Sequence, residues 1–279
     1  MHIRIIILAD MKVISIVGYH KAGKTTLVER LVKELSKRGS VGTIKHTREE
    51  IVPHSGDTER HLDAGAGVTI GITPTRSVMI TGNTDVGKAL ELLAGQGMDF
   101  AVVEGFKGSG LPKIAIGDVE ASNVVARVDI NASAEELVKI TMEQPDYVTL
   151  GSLVARVKRS PRYKEAGAIG TFTGLVREMA GNERTTALEF ESFDLVANER
   201  IKAIEDDLKK LKGILEVLIY HRTGRIGAGE DIVFIVILSG HREELFPALK
   251  DAIERVKAEV PIWKKEFTAG GDFWVHDIH

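Results

Sequence analysis

The chain of 279 residues contains no cysteine. That excludes disulfides, thiolate-bound metals and a cysteine nucleophile. Any sulfur chemistry would have to use sulfur supplied by another molecule. Long apolar runs are missing too. Segments such as Ile5 to Ala9 and Ile232 to Leu238 are far too short to span a bilayer. No stretch combines a charged start, a long apolar core and a small-residue cleavage site, so the cytoplasm is the expected compartment, with no membrane partner. There is no excess of positive charge: 37 Lys and Arg against 40 Asp and Glu give a formal net charge of -3. A nucleic-acid partner is therefore not expected. No Asn-Lys-x-Asp sequence occurs, so the residues do not reveal the base preference of a bound nucleotide. What remains, 43% hydrophobic and 28% charged, is ordinary for a globular protein and long enough for one large domain or two ordinary ones.

Ile5 to Asp10 reads as a short strand, yet Met11 opens a better one directly behind it, so the first ten residues look like an extension or an extra edge strand. Val13 to Val17 is β-branched and of buried type, and it runs into Gly18-Tyr19-His20-Lys21-Ala22-Gly23-Lys24-Thr25-Thr26. This satisfies Gly-x4-Gly-Lys-Thr, and Leu27, Leu31 and Leu35 follow at helical spacing up to Gly39. Strand, glycine loop and helix together form a phosphate-binding loop, in which backbone amides and the helix N-terminus face the anion. Lys24 is expected at the terminal phosphates and the Thr25 hydroxyl on magnesium. Gly82 to Ala89 repeats the spacing but ends in alanine, and Asn83 or Asp85 suits a helix N-cap there; it is read as structural. Asp99 to Val103 is an apolar strand ending in Glu104, the expected second magnesium-side carboxylate. Alternating strand and helix signals predict a parallel sheet with crossover helices.

Ser133 to Gln144 reads as a helix with Ser133 as N-cap, and Pro145 breaks it, which places a domain boundary near 145. The two expected domains are 11–144 and 146–279. The second is of α+β type: a helix near 151–159, a strand leading to Arg177, a strand at Thr186 to Phe190, and a helix from Val196 to Leu211. Leu215 to His221 is expected to pair antiparallel with Asp231 to Leu238 around a Gly-rich turn. That separates His221-Arg222 from His241-Arg242 by roughly 25 Å, so only one pair is expected in a site. His276 and His279 give no convincing metal site. In Glu243 to Ala258 apolar residues recur at helical spacing until Pro261 stops the helix. Lys257 sits in its last turn and Lys264 just beyond the break, beside apolar surface where desolvation makes an amine usable as base or nucleophile. The plainer reading is a snorkelling lysine and a solvated one. His241 and Lys257 lie at opposite ends of that helix, some 20 Å apart, so a site using both needs two subunits.

Two resemblances follow from these residues. Gly18 to Thr26, Thr43-Ile-Lys-His46, Ser55-Gly-Asp57-Thr-Glu-Arg60-His61 with Ala64 to Ala66, and Val103-Glu-Gly-Phe-Lys107 with Pro112 to Ile114 resemble the MobB family of molybdopterin-guanine dinucleotide biosynthesis. The resemblance implies GTP, Mg2+ and dimerisation. Gly167 to Arg177, His221-Arg222-x-Gly224 with Gly229-Glu230, His241-Arg242, Lys257 and Pro261-Ile-Trp-Lys-Lys-Glu266 resemble the MoaE family, the catalytic subunit of molybdopterin synthase. This implies an α/β hammerhead fold and conversion of cyclic pyranopterin monophosphate to the molybdopterin dithiolene. The sulfur would come from the thiocarboxylated C-terminus of a small ubiquitin-like sulfur carrier. The resemblance further implies Lys257 and Lys264 as catalytic, and Arg177, His241, Arg242, Lys265 and Glu266 as substrate-binding, with His241-Arg242 given across a homodimer. Phe190-Glu191 departs from the family's usual His-Tyr.

The expected architecture is thus an α/β P-loop NTPase domain followed by an α+β synthase domain. GTP turnover by the first half stays open, as does the role of Lys257, acid–base or covalent. The alternative is a P-loop hydrolase or small-molecule kinase carrying a partner-binding scaffold.

Overall fold

The computed structural model describes residues 11–47, 56–82, 84–180, 183–192, 194–268 and 271–275. The expected strand within residues 1–10, together with Ser55, Asn83, His276 and His279, lies outside them. Contacts divide the chain into two units between Tyr147 and Val148.

The first unit contains β1 (Met11–Val17), α1 (Lys24–Leu35), β2 (Val41–Lys45), α2 (Gly56–Asp63), β3 (Val68–Ile72), β4 (Ser77–Thr81), α3 (Val86–Gly95), β5 (Phe100–Glu104), β6 (Lys113–Ile116), β7 (Val124–Val128), α4 (Ala134–Met142) and β8 (Asp146–Tyr147). The main sheet runs β2-β5-β1-β6-β7, all parallel, with β8 antiparallel at the start of β1. The pleat of β1 explains its two-sided apolar sequence. Ile14 and Ile16 meet Leu27, Leu31 and Leu35 of α1 and Leu137 and Val138 of α4 on one face. Met11 and Val13 meet Leu90 and Ala94 of α3 on the other. Each such fully buried Leu or Ile contributes about 1.5–3 kcal/mol of apolar transfer energy. Ser133 caps α4 through the Glu136 amide, 3.1 Å away, and Asp85 caps α3 through that of Lys88, 2.9 Å away. The second Gly-x4-Gly-Lys stretch is thus a helix start with a side-chain cap. β3 and β4, which local spacing did not single out, form a separate two-stranded sheet.

The second unit contains α5 (Leu150–Lys158), a 3-10 turn (Pro161–Glu165), β9 (Ala168–Leu175), β10 (Met179–Ala180), β11 (Glu183–Ser192), α6 (Asp194–Leu208), β12 (Ile214–His221), β13 (Gly224–Gly227), β14 (Asp231–Ser239), α7 (Arg242–Glu259), β15 (Ile262–Thr268) and β16 (Gly271–Val275). One antiparallel sheet runs β12-β14-β9 and the other β10-β11-β15-β16. In the first sheet, Val217, Ile219, Ile235 and Ile237 face α6 and α7, while Leu215, Leu218, Phe234 and Val236 face α5. The expected Gly-rich turn after β12 holds a strand of its own, β13, because Gly224 to Gly227 pairs with β11. α7 is continuous over 18 residues although Pro247 removes one backbone donor from its second turn. Among the described residues no helix is long and apolar enough to cross a membrane.

Candidate functional site

Among the described residues each unit holds one candidate site. In the first, Gly23 ends the loop in the left-handed region (φ 83°) as N-cap of α1, a conformation in which an L side chain is strained. Lys24 Nζ donates to Tyr19 O at 2.7 Å, folding its amine over the loop. The Thr25 hydroxyl donates to both Glu104 carboxylate oxygens at 3.1 Å, joining the first turn of α1 to the end of β5. Glu104 is 8% exposed, and Lys45 Nζ stands 3.6 Å from its Oε1. Lys45 was not singled out from the sequence, although it lies in the Thr43 to His46 stretch that carries the MobB resemblance; its pairing depends on β2 lying beside β5. Gly105 (φ 101°) turns the chain, and a Cβ there would stand 2.9 Å from that of His46. The loop beyond is held from beneath by Lys113, fully buried in β6, whose amine donates to the carbonyls of Ser109 and of Leu111, the latter at 2.8 Å. Burial pushes the Lys113 ammonium below its ordinary range. The same loop brings Lys107 over the Tyr19 ring at 5.1 Å. His20, Lys21, Ala22 and Thr26 complete the loop and the first turn of α1.

A hydroxyl and one buried carboxylate are the donor set magnesium takes when phosphate oxygens and water supply the rest. Among the described residues no three His, Cys, Asp or Glu could hold a metal by themselves.

In the second unit a cleft of about 880 Å³ is lined by Arg177, His221, Lys257, Lys264 and Glu266 on a wall of Phe172, Leu188, Phe190, Ile235, Ile253 and Val256. Its size and mostly apolar wall suit a small-molecule site. Local structure explains who is present. Val256 is buried on the core stripe of α7, so the next residue, Lys257, stands at the edge of that stripe and reaches the cleft. On β15 the two-residue period sends Ile262, Lys264 and Glu266 inward. The pleat carries Lys265, expected with them, to the opposite face, where it sits over Phe267 at 4.9 Å and 3.3 Å from Asp272. Thr185 Oγ1 donates a short hydrogen bond to Glu266. β11 pairs with β15 so that Phe190 stands opposite Lys264.

His241 and Arg242 are outside this cleft. Both are exposed at the N-terminal end of α7, Arg242 Nε lies 3.3 Å from Glu243, and Phe246 one turn on is 65% exposed. Of the other His-Arg pair, His221 lines the cleft, while Arg222 donates to Asp231 O at 3.0 Å. His221 packs edge-on against Phe190, with ring centroids 5.1 Å apart, and its Nδ1 lies 2.8 Å from Arg222 O. That contact favours the tautomer with Nδ1 donating. Sequence spacing placed His221 beside the turn but gave no sign that β11 folds back there; Phe190, where the family carries histidine, was the available signal.

Burial holds the His221 imidazole below its ordinary value, against the opposing effect of the Arg222 carbonyl. The neutral ring is therefore favoured in the fold. Its contribution to stability is fully present above the unfolded value of about 6.5 and is lost as pH falls through the lower folded value. His221→Asn, which keeps a donor for Arg222 O but cannot titrate, should melt with less dependence on pH below about 6.5 than the parent. Thermal melts from pH 5 to 8 measure this, and identical acid limbs would contradict it.

Comparison with known proteins gives the following. The family described as MoaE protein matches residues 144–259, and the family described as molybdopterin guanine dinucleotide synthesis protein B (MobB) matches residues 13–139. A protein named probable molybdopterin synthase from Haloferax volcanii is 40% identical over 273 residues, 96% of this chain and 100% of its own. The molybdopterin synthase catalytic subunit of Bacillus subtilis is 40% identical over 114 residues, 41% of this chain and 73% of its own. Among solved structures, a molybdopterin synthase from Staphylococcus aureus is 36% identical, covering 40% of this chain and 82% of its own at a TM-score of 0.39. A MobB from Bacillus subtilis is 22% identical, covering 47% and 94% at a TM-score of 0.37.

Proposed function

The chain belongs to the molybdopterin synthase family and carries a MobB domain ahead of its MoaE domain, and from that premise we propose how its two sites divide the work of molybdenum cofactor biosynthesis. The second unit transfers sulfur from a thiocarboxylated carrier protein to cyclic pyranopterin monophosphate. The observation that carries this reading is the convergence of Lys257, Lys264 and Arg177 on one cleft. A phosphate-bearing substrate and a carboxy-terminal tail both need cations, and the apolar wall strengthens those contacts by excluding water. Lys257 either moves a proton or supplies the amine that attacks the thiocarboxyl carbon, breaking its C–S bond so that the sulfur leaves as hydrosulfide for the substrate and the carrier tail is left as an amide on Lys257; Lys264 and Arg177 hold the anions. Glu266, fixed by Thr185, orients the Lys264 side of the cleft. His221 presents a neutral acceptor to bound substrate.

The first unit binds GTP with Mg2+, the nucleotide's phosphates on Gly18 to Thr26 and the metal on Thr25 and Glu104, in support of guanine dinucleotide cofactor formation. Support comes from the Thr25–Glu104 contact, which unites both magnesium-side groups. The protein acts as a homodimer in the cytoplasm. Two exposed surfaces favour the dimer. In the first unit Val68, Ile70, Ile72 and Met79 crowd one face of the β3–β4 sheet, with Ile72 82% exposed. In the second, Phe246 stands exposed beside His241 and Arg242. Those two residues complete the cleft of the partner subunit.

The deciding assay supplies purified protein with thiocarboxylated carrier and cyclic pyranopterin monophosphate. Formation of the dithiolene is expected; its absence would sink the synthase reading.

A further inference from the structure

The phosphate loop leaves the nucleoside end of its ligand unplaced, and three observations place it. The first is direction. Thr25 and Glu104, which would hold the metal and the terminal phosphate, lie where β1 meets β5. β6 and then β7 flank β1 on its other side. Ligands of parallel sheets lie across the C-terminal ends of the strands. A nucleotide whose metal end is at β5 therefore directs its nucleoside toward the ends of β6 and β7.

The second is construction. The segment after β7, Asp129-Ile130-Asn131, is built against the phosphate loop itself. Ile130 Cδ1 lies 2.1 Å from where a Cβ on Gly23 would stand, so a larger residue there would force the Ile130 side chain to move. Arg30 of α1 donates to Ile130 O at 3.1 Å and also to Ala132 O, fixing the segment to the helix that starts at the loop.

The third is chemistry. Asp129 Oδ1 accepts the Asn131 amide at 2.5 Å, which orients an exposed carboxylate; its other oxygen has no partner among the described residues. Guanine presents two adjacent donors, N1–H and the 2-amino group, which a carboxylate accepts together. Adenine presents an acceptor at N1 and is disfavoured. Among the described residues Asp118 and Glu120 are exposed carboxylates just past β6, Asp118 in a turn that Arg127 holds through Gly117 O at 2.8 Å and Val119 O at 3.2 Å. Ile116, just before that turn, also approaches the loop, 3.2 Å from where a Cβ on Gly18 would stand, so Asp118 serves as the control for Asp129.

We propose that Asp129-Ile130-Asn131 is the base-binding segment of the nucleotide site and that Asp129 reads guanine. The inference rests on the phosphate-loop reading of Gly18 to Thr26. Titration calorimetry on the full chain with Mg2+ and GTP, ATP or xanthosine triphosphate tests it. Xanthine carries a carbonyl where guanine has its amino group, so an asparagine suits it as an aspartate suits guanine. Asp129→Asn keeps the acceptor for the Asn131 amide and hence the turn. It should weaken GTP and strengthen xanthosine triphosphate by roughly ten- to a hundredfold each. An unchanged preference in Asp129→Asn overturns the assignment, as does the same switch appearing in Asp118→Asn. Failure of the parent chain to bind any of the three nucleotides overturns the phosphate-loop reading instead.

Discussion

Lys257→Ala should lower dithiolene formation by at least about a hundredfold, the low end of what a positioned acid–base or nucleophilic group supplies. The fold should survive. Lys257 is exposed on the last turn of α7, its neighbour Val256 keeps the core contact, and alanine is the better helix former. Among the described residues Lys257 has no ion pair to lose. The loss should therefore appear in product formed per enzyme and not in the melting temperature or in nucleotide binding. A variant with normal yield would remove Lys257 from the chemistry and restore the plainer reading of a snorkelling side chain.

The second large effect belongs to the other unit. Lys24→Ala should raise the dissociation constant for GTP by about ten- to a hundredfold, because hydrogen bonds to charged groups contribute about 1.5–3 kcal/mol. Lys24 is half-buried, and its amine lies against the Tyr19 carbonyl, so truncation removes the cation without opening the core beneath α1. Dithiolene formation should stay within about twofold of the parent. Calorimetry with GTP and the carrier assay, run on the same preparation, separate the two sites. Unaltered GTP affinity would contradict the phosphate-loop reading, and a collapse of synthase activity would show that the units are coupled.

Local spacing made much of this molecule legible. The glycine loop, its helix and Glu104 at a strand end can each be read from neighbours within a few residues, and so can the caps Ser133 and Asp85. The β12–β14 pairing was readable because two β-branched runs flank one turn. What local spacing does not carry is the pairing of distant strands. β11 joins β15 across some seventy positions of chain, and only that pairing brings Phe190 opposite Lys264 and His221 into the cleft. Lys45 at Glu104 depends likewise on β2 lying beside β5. Lys265 was a different matter: its placement follows from the two-residue pleat, a local rule, once Lys264 is known to face inward. Contacts divide the chain after Tyr147 because Asp146 and Tyr147 return to pair with β1.

The rigid length of α7 has a genetic consequence on the dimer reading. It carries Lys257 near one end and Arg242 at the other, so on that reading each cleft draws one of the two from each chain. Two alleles, one lacking each residue, would both be null alone. Expressed together they assemble mixed dimers in which one cleft receives both defects and the other none. Random pairing makes half of all dimers mixed, so about a quarter of the clefts per protein would be intact. Complementation between two dead copies is thus expected from an unbroken helix, and tandem or heterozygous genes for this chain would mask each other's losses.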